Sequence, residues 1–365
     1  MVKFEMPIDE ELADSVRQYE WRTRSVEKMA ADRADRLRKL EAREESIRRA
    51  LQAYKDLPRR YAPVRLRREF VALQKPRALS PALGGPEPEE PVSRSAQLEE
   101  DYRTRPPSTK LLIRKTHALA SYLAMLYVAH SEPGVAGPVR GNASRANGVE
   151  SWSVLCGRWF PTVRARRARM ARDLEELHRA DLVAIGAGGA QARYENFTLL
   201  ADDLTDQAYT LPARRTQSSA VISLPHAFFT NGWHLALTPP EIASLLMARD
   251  ATRTLPTTPN EPGIGIPRSV RWATYGVSGE AYHSIHELEE FGLLIIHDTM
   301  PHRRHGKLRQ LTAEVKAAVE ANGESTGPVP YRLECASDDA FERSAWVTIN
   351  HSLRNHPAPP RLNSE

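Results

Sequence analysis

The sequence predicts a mainly α chain, in which a long N-terminal helical segment precedes two compact helical units that each end in a small β-hairpin. Between Ile8 and Tyr54 there is neither glycine nor proline, and charges of both signs alternate, as in long exposed helices. Two later segments share one apolar pattern. Met170, Leu174 and Leu177 precede Asp181-Leu-Val-Ala-Ile185, and Ala281, Ile285 and Leu288 precede Gly292-Leu-Leu-Ile-Ile296. Spacings of four and three mark one helix face, and an apolar strand begins beyond the last position. A turn-forming loop follows in each copy, residues 186–190 and 301–306, and a second strand candidate closes each hairpin, residues 193–200 and 307–312.

Taken in order, residues 1–78 form a helical, coiled-coil and basic segment. Val26, Ala30, Arg33, Leu37, Leu40, Glu44, Ile47, Leu51 and Tyr54 are spaced four and three throughout, which is a coiled-coil seam. A parallel pair would bury Arg33 against Arg33 and Glu44 against Glu44, whereas an antiparallel pair sets Arg33 on Glu44 of the other chain. The expectation is an antiparallel homodimer through residues 26–54. The alternatives are a helix folded back on its own chain and a solvated helix. Residues 59–77 are strongly basic, with Glu69 the only acid. Residues 79–108 read as a flexible linker, because they offer little apolar surface to offset chain ordering.

The first compact unit covers 109–203 and opens on an apolar helix at about 117–128. A polar joint, 204–220, leads to the second unit, 221–321. There Thr238 caps a helix with Pro239 at its first position, and Ile242, Leu245 and Leu246 face inward. Residues 322–365 form a C-terminal extension with a strand and a helix between 331 and 355, and the last ten residues read as disordered.

The bulk composition narrows the function. No apolar run approaches the roughly 20 residues of a membrane span. Residues 1–20 are mixed and acidic, unlike a signal peptide. The two cysteines, Cys156 and Cys335, lie outside any metal-ligand spacing, which favours a reducing, cytoplasmic setting. A formal charge of +5 is compatible with nucleic acid.

The strongest functional signal is the helix that begins at Pro161. Arg164, Arg166, Arg167, Arg169 and Arg172 fall within nine residues. At 100° per residue, Val163, Met170, Leu174 and Leu177 point to one side, and Arg164, Arg169 and Arg172 to the other. Ala165 and Ala168 between them let the helix approach a major groove, where arginine holds two guanine acceptors or a phosphate. Arg166 and Arg167 sit at the margins and suit phosphates. The plainer alternative is a solvated basic face neutralised by Asp173, Glu175 and Glu176.

The equivalent helix of the second unit, 278–290, turns Glu280, His283, His286, Glu287 and Glu290 outward, which suits neither phosphate nor groove. Its basic candidates are Arg268, Arg271 and the loop residues Arg303, Arg304 and Lys307, placed to follow a backbone or a minor groove. A protein-binding role for this unit is the alternative. The pairs His302/His305 and His283/His286 lack further ligands at metal spacing. Phe228, Phe229, Trp233 and Trp272 read as core rather than as a base-stacking platform. Gly186-Ala-Gly-Gly-Ala190 is a hairpin turn without the lysine of a phosphate loop. Asp202 and Asp203 are a weak nuclease signal. No nucleophile arrangement emerges, so catalysis and cofactors are not expected.

The stretch ISLPHAFFTNGWHLALTPPEIASLLMARD, followed by YGVSGEAYHSIHELEEFGLLII, resembles the winged-helix DNA-binding domains of bacterial regulators. Two such units in one chain also resemble the tandem winged-helix initiators of plasmid replication. The resemblance covers about residues 109–320. It implies tandem winged-helix domains that bind double-stranded DNA without catalysis, in a transcriptional regulator. The alternatives are a replication initiator of a plasmid or mobile element, and a winged-helix scaffold that binds only proteins.

Overall fold

The computed structural model describes residues 28, 30–57, 63–78, 93–114, 116–131, 151–186, 193–194, 197–212, 220–259, 261–298 and 330–355, and the backbone of 303–304 and 307–308. The chain is mainly helical with small antiparallel sheets. No helix among these residues is long and apolar enough to cross a membrane.

Helix α1 spans residues 30–41, and after a turn at Ala42 and Arg43, α2 spans Glu44–Lys55. Leu40, Ile47, Ala50 and Tyr54 are buried in the chain's own core. The seam expected to pair with a second copy is therefore occupied intramolecularly. Glu44 is exposed, and Arg33 binds Glu290 of the same chain at 2.8 Å. The two helices also break at Arg43, so the periodicity of the seam does not continue as one rod. Val26 lies outside the described residues.

Strand β1, Val64–Arg67, pairs with β4, Val221–Leu224, so that Val64 faces Leu224 and Arg67 faces Val221. Val64 and Leu66 enter the core while Arg65 and Arg67 lie on the other face. The basic stretch is thus a strand of alternating side chains, followed by a short 3-10 turn, Arg68–Phe70, that buries Phe70. Two of its arginines are engaged within the chain. Arg67 binds Asp202 and Asp203, and Arg68 binds Asp250 at 3.0 Å.

The described part of the segment read as a linker is folded, in contrast to the expectation. Helix α3, Arg94–Arg103, is capped by Ser93, and a turn of helix, α4, spans Pro107–Lys110. Asp101 accepts from both Arg77 and Arg105, and both guanidiniums lie over the Trp272 ring, at 3.8 and 5.3 Å. Composition signals disorder where apolar area is scarce. Here a shared carboxylate and one indole anchor the helix instead.

The first unit is built on α5, Ala118–Ser131, which is buried along nearly its whole length. The long α7, Val163–Arg179, packs against it, and a short α6, Trp152–Leu155, packs between α7 and α2. Strands β2, Val183–Ala184, and β3, Thr198–Leu199, form the expected hairpin. Beyond it the chain turns back: Tyr209 donates its backbone N–H to Leu199 O and is wholly buried.

The second unit runs α8, His226–Thr230; α9, Trp233–Ala236; α10, Pro239–Thr254; β5, Ile264–Gly265; α11, Arg268–Ala273; α12, Gly279–Tyr282; α13, Ile285–Glu290; and β6, Leu294–His297. A capping box of Thr238 and Glu241 starts α10. The hairpin is larger than expected. β7, Arg303–Arg304, and β8, Lys307–Leu308, pair with each other, and the strand that returns to β6 is β9, Arg332–Cys335. β9 lies between β5 and β6, and Gly263 (φ +67°) passes so close to it that a Cβ would sit 2.9 Å from Leu333 O. The strand and helix expected in 331–355 are β9 and α14, Ala345–Asn355.

The repeat seen in the sequence is also a repeat of backbone geometry. Leu182 N–H donates to Leu177 O and Leu293 N–H to Leu288 O, each at 2.9 Å. Asp181 N–H donates to His178 O, and Gly292 N–H to Glu289 O. Asp181 and Gly292 both adopt positive φ, 60° and 71°. Both helices thus end in a Schellman motif that feeds an apolar strand. The two units share one continuous core reaching from Leu40 to Leu353, with Phe228, Phe229 and Trp233 inside it as expected. Trp272 is only half-buried, held between its two arginines.

Candidate nucleic-acid interface

Helix α7 carries the candidate site. Thr162 Oγ1 accepts from Ala165 N–H at 3.3 Å and starts the helix. Met170, Asp173, Leu174 and Leu177 form its buried side. Asp173 is an internal anchor: Ser121 Oγ donates to it at 2.7 Å and Arg158 Nε lies 2.9 Å away. Burial pushes its carboxyl above the usual range, and the neighbouring Arg158 charge works against that shift.

Arg164, Arg167, Arg169 and Arg172 are exposed, while Arg166 is half-buried with its Nε shielded from solvent. The acids expected to neutralise this face are taken elsewhere. Glu175 binds Arg193 at 2.9 Å and Tyr194 OH at 2.7 Å, and Glu176 binds Arg179 at 2.8 Å and Arg114 at 3.6 Å. Among the described residues, Arg164 and Arg172 have no carboxylate at ion-pair distance. Arg169 lies over the Phe160 ring, 4.4 Å from its centre. Val163, placed by periodicity on the buried side, is 53% exposed, because it stands one turn ahead of the core that Met170 enters.

More positive charge lies beneath the helix. Arg43, in the turn before α2, is pulled down to about 10 by burial and by the Arg158 charge. His117 is pulled down to about 2 by burial and then by Arg43, Arg158 and Arg169. Arg43 and Arg158 thus add positive charge near α7, offset in part by Asp173. Sequence reasoning missed Arg43 and Arg158, which stand alone in sequence and gather only in the fold.

The second unit is less open. Arg268 is exposed at the start of α11. Arg271 is not a free cation: its guanidinium lies 3.6 Å from the centre of the Tyr282 ring, and its Nε is buried. A guanidinium over an aromatic face is attracted to it by about 0.5–2 kcal/mol. Arg303 and Arg304 lie on β7 opposite Leu308 and Lys307 of β8; their side chains are outside the described residues, as are His302 and His305. The helix expected over 278–290 breaks at His283 and Ser284 into α12 and α13.

Glu280 and His283 face solvent, but Glu290 accepts from Arg33 and from Ser352 Oγ at 3.2 Å. Arg36 reaches the buried Glu241 and lies 5.0 Å over the Phe291 ring. Helix α1 thus fastens the C-terminal end of α13 to the rest of the chain. Asp202 is fully buried and accepts from the Arg67 backbone N–H at 2.7 Å, so it is a fold anchor rather than a metal ligand. Among the described residues, no three His, Cys, Asp or Glu side chains converge to hold a metal ion.

No protein family model, curated protein or solved structure matches the chain.

Proposed function

We propose that the chain binds double-stranded DNA through two winged-helix units, with α7 as the groove-reading helix, and acts as a transcriptional regulator. The observation that carries this reading is the row of exposed arginines on α7, whose neighbouring acids are all engaged by other cations. Exposed arginines along one helix, two of which, Arg164 and Arg172, have no carboxylate at ion-pair distance among the described residues, suit phosphate oxygens and guanine edges.

The element order agrees with it. In the second unit, helix α10, strand β5, the three short helices α11, α12 and α13, and the strands β6 and β9 follow one another, with a sheet in the order β5-β9-β6, and the first unit repeats the last helix and its hairpin. The second unit contributes through its β7–β8 hairpin rather than through α13, whose end is held by Arg33.

The test is affinity for a DNA duplex as a function of salt. Each phosphate contact contributes about −0.9 to the slope of log K against log salt. The Arg164→Ala, Arg169→Ala, Arg172→Ala triple variant is expected to bind more weakly, with a slope shallower by about one unit per lost contact. Unchanged binding by the triple variant contradicts the reading.

A further inference from the structure

Among the described residues, the large exposed apolar side chains are Leu98, Ile113, Phe160, Val163, Leu204, Ile295 and Val347. Five stand alone along the chain. Phe160 and Val163 stand together, 39% and 53% exposed, at the N-terminal end of α7. Pro161 and Thr162 between them are also exposed. Thr162 fixes the direction in which the helix starts, and the Arg169 guanidinium covers one face of the Phe160 ring. The pair is therefore held in place by a cap and a cation, and it is flanked by Arg164 and Arg167.

An apolar pair at the N-terminal end of a basic helix fits few partners. An acidic protein surface would meet the arginines but leave Phe160 and Val163 against polar groups. The major groove offers both chemistries at once, since phosphates line its walls and each thymine presents a C5-methyl beside its O4 acceptor. A groove-reading helix meets base edges with its N-terminal residues. Resting on the DNA-binding reading above, we propose that Phe160 and Val163 read the C5-methyl groups of thymine, making the chain selective for T·A pairs at the position facing the start of α7.

The experiment begins with selection of duplexes from a random pool by the full chain. In the recovered site each thymine is replaced in turn by deoxyuridine, which removes only the methyl. At least one replacement is expected to weaken binding about fourfold, the value of one buried methyl-sized group. Val163→Ala and Phe160→Ala are expected to bind the thymine and uracil duplexes equally while keeping the salt slope of the unaltered chain. Neither side chain belongs to the buried core, and a thermal melt checks that the variants fold.

Equal binding of every uracil duplex by the unaltered chain overturns the proposal, as does discrimination that survives in both variants. Salt-dependent binding with no enriched sequence also overturns it while leaving DNA binding intact. Absence of any duplex binding removes the DNA-binding reading itself.

Discussion

Arg33 of α1 donates to Glu290 at the end of α13 at 2.8 Å, across 257 positions of sequence, and its other terminal nitrogen donates to Ser352 O at 3.1 Å. Arg33 is 11% exposed, so the pair is shielded enough to matter, at about 1–2 kcal/mol for a charge-assisted contact. Arg33→Glu is expected to lower the melting temperature, and Glu290→Arg in the same chain to restore it. Glu44→Arg should give no rescue, since Glu44 is exposed and far from this pair. Because the apolar seam is internally occupied, sedimentation at tens of micromolar is expected to give a monomer; a stable dimer with Glu44 rescue refutes this arrangement.

The two Schellman turns make opposite demands on their αL residues. Gly292 has φ +71°, and a Cβ there would lie 2.8 Å from Arg343 Nη2. Asp181 holds φ 60° with a side chain already present. Asp181→Gly is expected to be neutral or to stabilise by up to about 1 kcal/mol, and Gly292→Ala to destabilise by about 1 kcal/mol or more. Chemical denaturation midpoints of the two variants decide it, and a destabilising Asp181→Gly counts against the shared turn.

His234 is buried beside Tyr54, whose hydroxyl donates to Leu155 O and lies 2.9 Å from His234 Nε2. Since Leu155 O takes the hydroxyl proton, the Tyr54 oxygen is left to accept from Nε2. Burial, reinforced by the Arg43 charge, pulls the His234 pKa from 6.5 down to about 3. The folded value is depressed, so the associated stability is full above pH 6.5 and is lost as pH falls towards 3. Between pH 7 and pH 5 this amounts to about 2 kcal/mol, and His117 adds a loss in the same direction. Urea midpoints at the two pH values should converge in His234→Asn relative to the unaltered chain; an unaltered pH dependence in that variant argues against a buried neutral imidazole.

The β7–β8 hairpin is expected to add affinity. Arg303→Ala and Arg304→Ala should each weaken DNA binding from a few-fold to about tenfold, as for loss of a charged backbone contact. Glu280→Ala, at an exposed position on α12, should leave affinity equal or slightly higher. A large loss from the glutamate change, measured by fluorescence anisotropy, identifies α12 as a reader after all.

By itself the sequence determined what depends on neighbours a few positions apart. The 3.6-residue period placed Met170, Leu174 and Leu177 on one buried side of α7, the Thr238 cap started α10, and the repeat located two helix ends of identical geometry. The tertiary structure alone decided which charges are free. Arg67 and Arg68 belong to a strongly basic stretch and Arg271 is a basic candidate of the second unit, yet Asp202, Asp250 and the Tyr282 ring claim them. It also decided that Arg33 meets Glu290 rather than Glu44, and that β9 rather than residues 307–312 returns to β6. The reason is the weak dependence of loop-closure entropy on length: a partner 257 positions away costs only modestly more to reach than a near one. Burial and shape at the point of contact then choose between them, and no local pattern records that choice.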